Sequence, residues 1–183
     1  MEPVTLNREN TLFLMIDLQE KLMPAIEGAE QIAAAAERLL RAASALDIPL
    51  IVTEQYPKGL GGTVEPLRSL MASAAPLPKT AFSCAGAEGF SEAFERIGRN
   101  RAVLWGVETH ICVFTTAMEL AKKGCQVVVA GEACGSRKKA CHDLAVASML
   151  AAGIAVLPVE TVVYQLLGRA GTPEFKALLP YFK

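Results

Sequence analysis

The cysteine in the stretch LWGVETHICVF, Cys112, is the side chain whose position points most directly to covalent chemistry. The predicted strand in this stretch ends at Gly106, a helix is predicted to follow, and Cys112 lies near the start of that helix. Unpaired backbone N–H groups and the positive end of the helix dipole both favour thiolate over thiol at such a position. The same N–H groups can hold the oxyanion that forms when a thiolate attacks a carbonyl. A lone cysteine is also commonly a small buried apolar side chain, so position alone leaves both interpretations open.

Two further charged residues could serve a thiol at this position. Asp17 closes the very apolar run TLFLMI, and a partly desolvated carboxylate is a better base than an exposed one. A capping or ion-paired aspartate is the structural alternative. Lys79 follows two prolines in APLPK, so its ammonium leaves a stiff, edge-like backbone and could point into the same crevice. A solvated surface lysine is the alternative there, because most lysines are exposed.

The histidines offer neither a dyad nor a metal site. His110 lies two residues before Cys112, and helical neighbours at that spacing point in different directions, so we expect a substrate contact or a structural role. No HExxH pattern occurs, and the spacing of Cys134, Cys141 and His142 matches no standard zinc site.

Short apolar runs that do not alternate with polar residues predict strands buried on both faces of a parallel sheet. They occupy 11–17, 48–54, 101–107, 126–131 and 153–159, and a weaker edge strand is predicted at 75–79. Helical periodicity covers 29–46, 88–98, 111–123 and 137–152, and one or two short helices are predicted in 160–182. This alternation implies right-handed crossovers and a three-layer α/β/α sandwich, which we expect to be a single domain over 1–183.

Polar groups collect at the predicted carboxyl ends of the strands, where such sheets bind their ligands. They are Asp17, Glu54, Lys79, the turn 106–109 that leads into Cys112, and Glu132.

Composition limits the partners of the chain. Its 183 residues are 52% hydrophobic and 20% charged, with a net charge of -1 and a pI near 6.2. We therefore expect no nucleic-acid or membrane surface, and small molecules or other protein chains as partners. Five cysteines without a CxxC pair, and an N-terminus without a signal pattern, favour free thiols and a cytoplasmic location.

Three motifs in order, MIDLQEKL, PKTAFS and GVETHICV, resemble the isochorismatase-like cysteine hydrolase superfamily. The stretches VTEQYPKGLGGTVEPL and GVETHICVFTTAMEL are similar to its isochorismatase-domain-containing branch, and the resemblance covers nearly the whole chain. It implies a Rossmann-like isochorismatase fold with a six-stranded, mainly parallel sheet of order 3-2-1-4-5-6. That order would bring the strand ends carrying Asp17 and Cys112 side by side.

Carried over residue by residue, the resemblance implies a catalytic triad of Asp17, Lys79 and Cys112. It also implies a cis peptide between Val107 and Glu108, so that N–H groups of the Glu108–Thr109 turn and of Cys112 form an oxyanion hole. The expected substrate-binding residues are Gln19, Glu54, Tyr56, Phe82 and His110, with Gln55 and Cys84 as weaker candidates.

Two comparisons within the superfamily shape the functional hypothesis. Its nicotinamidases bind a metal through an Asp and histidines after the second strand, where this chain reads TEQYPKGLGG without a histidine, so we expect neither metal nor cofactor. Its isochorismatases can work without the cysteine, which this chain keeps. The leading hypothesis is therefore a cysteine-dependent hydrolase of a small amide-like substrate. An ether hydrolase using Asp17 as general acid and a non-catalytic binding protein are the alternatives.

The resemblance also implies a homo-oligomer, because members of the superfamily commonly assemble. Four apolar residues near the C-terminus offer a contact face, and core packing explains them equally well: Val162, Val163, Leu166 and Leu167.

Overall fold

A single six-stranded sheet forms the centre of the computed structural model, which describes residues 5–71 and 74–183. The strand order is β3-β2-β1-β4-β5-β6 and every pairing is parallel, so the predicted order and fold class are confirmed. The strands are β1 (Thr11–Ile16), β2 (Leu50–Gln55), β3 (Leu77–Lys79), β4 (Arg101–Val107), β5 (Gln126–Gly135) and β6 (Ala155–Leu157).

Two groups of helices flank this sheet and complete the three layers. The helices are α1 (Ala29–Leu46), α2 (Pro57–Leu60), α3 (Leu67–Leu70), α4 (Phe90–Ile97), α5 (Phe114–Lys122), α6 (Lys139–Ala151), α7 (Val159–Leu167) and α8 (Pro173–Leu178). In one group α1 contacts α3, α7 and α8, and in the other α5 contacts α6. Short 3₁₀ turns occupy Met23–Ala25, Cys84–Gly86 and Leu179–Phe182, and a π-helical turn, Thr109–Val113, precedes α5.

The central strands are buried on both faces, and their sequences are apolar except for the first residue of each, Thr11 and Arg101. All six residues of β1 are buried, and Phe13 packs edge to face on Trp105 of β4 with ring centroids 5.3 Å apart. On α1, the predicted apolar face is confirmed, since Ile32, Ala36 and Leu39 are buried against the sheet side of the molecule.

At the carboxyl ends of β1 and β4, Ile16 lies opposite Gly106. Gly106 has a φ of 136°, and a Cβ atom there would lie 1.9 Å from the carbonyl oxygen of Ile16. Only glycine fits this contact. The next residues along the chain are therefore brought to one edge of the sheet: Asp17, just after β1, and Val107, the last residue of β4.

Several element boundaries differ from the sequence prediction. Strand β2 begins at Leu50 rather than at 48, and β6 is confined to Ala155–Leu157. The helix predicted from 137 begins at Lys139. The segment 111–123 is divided between the π-helical turn and α5, which places Cys112 before the α-helix proper.

Strand β5 is longer than predicted and removes Glu132 from the rim. The pairing with β4 shifts register between Leu104 and Gly106, so β5 continues past the polar Glu132 as far as Gly135. The Glu132 carboxylate accepts the N–H of Val159 at 2.8 Å. The expectation that Glu132 ends a strand at the ligand crevice is therefore wrong.

The C-terminal apolar residues belong to the core. Val162, Val163, Leu166 and Leu167 are all buried within the chain, so core packing accounts for them and they offer no free contact face. Within 5–71 and 74–183, no helix is long and apolar enough to cross a membrane.

Candidate functional site

The structure brings Asp17, Lys79 and Cys112 together at the carboxyl edge of the sheet. Asp17 follows β1 in a left-handed conformation with φ 55°, Lys79 ends β3, and Cys112 lies in the π-helical turn after β4. The Lys79 ammonium donates to Asp17 Oδ2 at 2.7 Å and lies 3.5 Å from Cys112 Sγ. The three residues are 0%, 4% and 6% exposed, respectively.

Lys79 reaches this site across an intervening strand. Strand β2 lies between β3 and β1, so the Lys79 side chain has to pass the end of β2 to reach Asp17. Burial lowers the pKa of Lys79, but the neighbouring Asp17 carboxylate and Cys112 oppose it, and the pKa is raised overall. Lys79 is therefore an ammonium that the buried Asp17 carboxylate stabilises.

Cys112 rests as a thiol. Burial, followed by the Asp17 charge, raises its pKa to about 12, although the Lys79 ammonium acts in the opposite direction. The expectation that the helix start would favour a thiolate is therefore corrected. Any attack by Cys112 requires a base to take its proton, and Asp17 is the carboxylate beside it.

Sequence reasoning missed Thr53, a fully buried hydroxyl on β2. Its Oγ1 donates to Asp17 Oδ1 at 2.9 Å, so Thr53 and Lys79 occupy one carboxylate oxygen each. Thr53 Oγ1 also lies 3.5 Å from Cys84 Sγ, and burial above all raises the Cys84 pKa to about 11. A hydroxyl inside the apolar run IPLIVTE was the available clue to this role.

Thr116 is a second residue that sequence reasoning missed. Its hydroxyl donates to the carbonyl oxygen of Cys112, one helical turn earlier, at 2.6 Å. Thr116 Oγ1 in turn accepts the Cys84 N–H at 2.9 Å. Thr116 thus joins the turn that carries Cys112 to the segment after β3, next to Lys79.

The turn between β4 and Cys112 is tied to the β5–α6 loop. The peptide bond between Val107 and Glu108 is cis, and the Glu108 carbonyl accepts the N–H groups of Ile111 and Val113 at 3.1 and 3.2 Å. The Glu108 carboxylate pairs with Arg137 Nε at 2.8 Å and accepts the Arg137 backbone N–H at 3.1 Å. The Glu108 side chain is therefore directed toward that loop.

Both histidines contact this turn rather than the thiol. His110 Nδ1 lies 2.9 Å from Ser136 Oγ and 3.7 Å from a Glu108 carboxylate oxygen. Thr109 Oγ1 lies 2.9 Å from Nδ1 of His142, and burial lowers the His142 pKa. The histidines therefore hold the turn in place.

Two of the expected substrate-binding residues are engaged by the protein itself. Gln19 is fully buried, and its amide bonds to the backbone of Gln55 and Gly61. Glu54 accepts both the N–H and the hydroxyl of Thr63, at 2.7 and 2.9 Å. These contacts shape the loop after β2. Gln19 is thereby withdrawn from solvent, whereas Glu54 is only partly buried and its role at a substrate stays a prediction.

The two expected aromatic residues are accessible, with Tyr56 55% and Phe82 60% exposed. The Phe82 carbonyl lies 3.4 Å from Lys79 Nζ, which places this residue at the rim of the site. Gln55, a weaker candidate from sequence, proves central, because its Oε1 accepts from Lys79 Nζ at 2.6 Å. Among the described residues, no group of three or more His, Cys, Asp or Glu side chains is arranged to hold a metal ion.

The Isochorismatase domain model matches residues 11–161, which include the whole site. The chain belongs to the isochorismatase family. Isochorismatase domain-containing protein 1 of Salmo salar is 38% identical over 92% of this chain, which spans only 59% of the salmon protein. Isochorismatase domain-containing protein 2A of Mus musculus is 37% identical over 96% of this chain and 84% of its own length.

Solved structures of similar proteins share the fold. A structure described as MAR1 ribonuclease from Caenorhabditis elegans is 34% identical, with a TM-score of 0.91 over 97% of this chain and 92% of that one. YcaC from Pseudomonas aeruginosa, also with a TM-score of 0.91, covers 99% and 93% of the two chains at 22% identity. At this low identity, the similarity to YcaC from P. aeruginosa shows the fold alone.

Proposed function

We propose that this isochorismatase-family protein is a cysteine-dependent hydrolase of a small, amide-like substrate. The observation that carries the proposal is the position of one buried ammonium. Lys79 Nζ lies within hydrogen-bonding distance of both the Asp17 carboxylate and the Cys112 thiol, at 2.7 and 3.5 Å. A base, a cation and a nucleophile in one desolvated site are the groups that acyl transfer through a thioester requires.

In the first step Asp17 takes the proton of Cys112 while Sγ attacks the substrate carbonyl carbon. The Lys79 ammonium stabilises the negative charge that develops on sulfur. The tetrahedral oxyanion is held by the N–H groups of Cys112 and the Glu108–Thr109 turn, and each such donor contributes roughly 3 kcal/mol in well-studied hydrolases.

In the second step the C–N bond breaks, and protonated Asp17 gives its proton to the leaving nitrogen. This leaves an acyl group on Cys112 as a thioester. Asp17, again a carboxylate, takes a proton from water as the water oxygen attacks the thioester carbonyl. The C–S bond then breaks, the acid leaves, and the proton returns to the Cys112 sulfur.

Two other reactions follow from the family comparisons. The family name supports an ether hydrolase in which Asp17 acts as general acid, and that reaction would survive Cys112→Ala. The ribonuclease description of the C. elegans structure makes RNA a second candidate substrate. A net charge of -1 offers little attraction for phosphates, so we rank it below the amide reaction.

The test is hydrolysis of a panel of small amides and carbamoyl compounds, with a vinyl ether and single-stranded RNA included. We expect ammonia or amine release that Cys112→Ala abolishes and that Cys125→Ala, the matched control at a partly buried cysteine, leaves unchanged. Activity that Cys112→Ala retains would support the ether reaction. A chain inactive on every compound, with a Cys112 that no acylating probe labels, would support a non-catalytic binding role.

We also propose that the chain forms a homo-oligomer in the cytoplasm. YcaC from Escherichia coli is described as an octameric hydrolase of unknown specificity. On α6 of this chain, Leu144 and Leu150 are 70% and 52% exposed, and we propose that a second copy of the chain covers them. Five free cysteines suit a reducing compartment. Light scattering of the purified protein tests the assembly, since a monomeric mass would contradict it, and cell fractionation tests the location.

A further inference from the structure

A closed ring of hydrogen bonds runs through Asp17, Gln19, Gln55 and Lys79. The Gln19 N–H donates to the carbonyl oxygen of Asp17 at 2.8 Å. The Gln19 side chain accepts the Gln55 N–H at 2.7 Å and donates to the Gln55 carbonyl at 2.9 Å. Gln55 Oε1 accepts from Lys79 Nζ at 2.6 Å, and Nζ donates back to Asp17 Oδ2 at 2.7 Å. The ring joins the ends of β1, β2 and β3.

The amide of Gln55 has one allowed orientation in this ring. An ammonium only donates hydrogen bonds, so the oxygen of the amide must face Lys79. The amide nitrogen donates to the carbonyl of Thr80, the next residue in the chain, at 2.9 Å. Gln55 therefore holds Lys79 at its tip and at the adjoining peptide, and the amide cannot flip without losing both bonds.

Gln19 fixes Gln55 in turn. Its amide bonds to both backbone groups of Gln55, and its nitrogen also donates to the Gly61 carbonyl at 2.7 Å. Gln19 is fully buried and lies two residues after Asp17. The strand end that carries the proposed base thus sets the position of the residue that holds the cation.

The ring determines which acceptors the three N–H bonds of the Lys79 ammonium can reach. An ammonium has three protons, and Asp17 and Gln55 accept the two shortest bonds from Lys79. The third proton remains for the weaker acceptors at 3.2 to 3.5 Å, which are the carbonyls of Ala81 and Phe82 and the sulfur of Cys112. When the thiol loses its proton, its sulfur becomes the strongest of these three acceptors.

We propose that Gln55, held by Gln19, is a positioning residue. Together with Asp17 it fixes two N–H bonds of the Lys79 ammonium, and so directs the third toward the group of acceptors that includes the Cys112 sulfur. This inference rests on the proposed function of the triad. A neutral amide suits the task because it accepts from the ammonium without adding a second negative charge beside the sulfur. A carboxylate in its place would oppose formation of the thiolate.

The experiment measures the rate of Cys112 alkylation by iodoacetamide against pH, followed by peptide mass. We compare the unaltered chain with Gln55→Met, of similar length but without the acceptor, and Gln55→Glu, of the same shape but charged. In both variants we expect the rising part of the profile to move by about one unit toward higher pH, which is a rate about tenfold lower at any pH on that part. A purely structural role would leave the profile in place or, by opening the crevice, raise the rate.

Gln126→Glu is the matched control. Gln126 Oε1 also accepts from a cation, Arg101 Nε, at 2.6 Å, but at the opposite end of the sheet. The alkylation profile of this variant should match that of the unaltered chain. Gln55→Asn is one methylene too short to reach both Lys79 and Thr80, so we expect it to slow alkylation to the same extent. This variant tests the inference if the other Gln55 variants do not fold.

A double-mutant cycle tests whether Gln55 acts through Lys79. In a Lys79→Met background, Gln55→Met should slow alkylation no further. Additive losses, or folded Gln55 variants with an unaltered profile, would overturn the inference while leaving the triad intact. A Lys79→Met variant whose Cys112 profile matches the unaltered chain would overturn the triad and this inference together.

Discussion

Lys79 and Asp17 form a buried ion pair across a strand that belongs to neither of them. The ammonium on β3 crosses the end of β2 and meets the carboxylate at the end of β1 at 2.7 Å, and neither side chain is exposed to solvent. Removing one member of such a pair leaves an uncompensated buried charge. The stability of the fold and the proposed chemistry of Cys112 therefore depend on the same contact.

Lys79→Met should destabilise the fold by about 3 to 5 kcal/mol, because Asp17 would remain buried without its cation. Urea denaturation followed by circular dichroism measures this loss. The control is Lys123→Met, which removes an exposed pair with Glu119 at 3.1 Å and should change the free energy of unfolding by less than about 1 kcal/mol. Equal losses in the two variants would contradict the importance of the buried pair.

Asp17→Asn should affect alkylation and hydrolysis in opposite directions. The Asp17 charge helps to raise the pKa of Cys112 to about 12, so its removal lowers that pKa. We expect the pH profile of Cys112 alkylation to move toward lower pH, while amide hydrolysis is lost with the general base. The two assays are run on the same preparation. A shift of the alkylation profile toward higher pH would show that the Asp17 charge does not oppose thiolate formation.

Thr53→Val should weaken the site without changing its volume. The variant removes the donor to Asp17 Oδ1 at 2.9 Å and leaves that oxygen buried with one partner fewer. We expect a loss of about 1 to 3 kcal/mol in stability, measured by denaturation, and slower hydrolysis. Thr115→Val, at an exposed position on α5, should stay within about 0.5 kcal/mol of the unaltered chain. A Thr53 variant as stable as that control would contradict the role given to the hydroxyl.

Gly106→Ala should prevent correct packing of β1 on β4. The added Cβ atom would lie 1.9 Å from the Ile16 carbonyl oxygen, which is backbone and cannot move without displacing Asp17. We expect little folded protein and a large drop in melting temperature. Gly124→Ala is matched to it, because Gly124 also has a positive φ but no atom lies within 4 Å of the added Cβ. That variant should lose only about 1 to 2 kcal/mol. Equal melting temperatures for the Gly106→Ala and Gly124→Ala variants would refute this interpretation.

Much of the fold could be predicted from the sequence because buried parallel strands leave a strong local pattern. Runs such as TLFLMI and RAVLWGV are apolar without alternation, and the structure places them at the centre of the sheet. The end of β5 escaped prediction, since its continuation past Glu132 depends on a register shift against β4. Such a shift is a property of two strands together, not of one.

For the candidate site, residue types and strand ends made Asp17, Lys79 and Cys112 candidates, and the family resemblance joined them as a triad, whereas their mutual positions came only from tertiary structure. The sequence could not show that Lys79 crosses β2, or that Gln19 and Gln55 join into one ring with the pair. These contacts link residues 24 to 62 positions apart, and no local pattern encodes them.

The protonation state of Cys112 shows most clearly the difference between what the sequence and what the tertiary structure determine. Its place after a glycine break, at the start of a helical segment, is a property of the sequence, and taken alone it favours a thiolate. The tertiary structure reverses that expectation, because burial and the Asp17 carboxylate outweigh the Lys79 ammonium and keep the proton on sulfur. The sequence determined which groups could react. Their burial and distances decided which of them holds the proton, because desolvation and charge interactions depend on position in space.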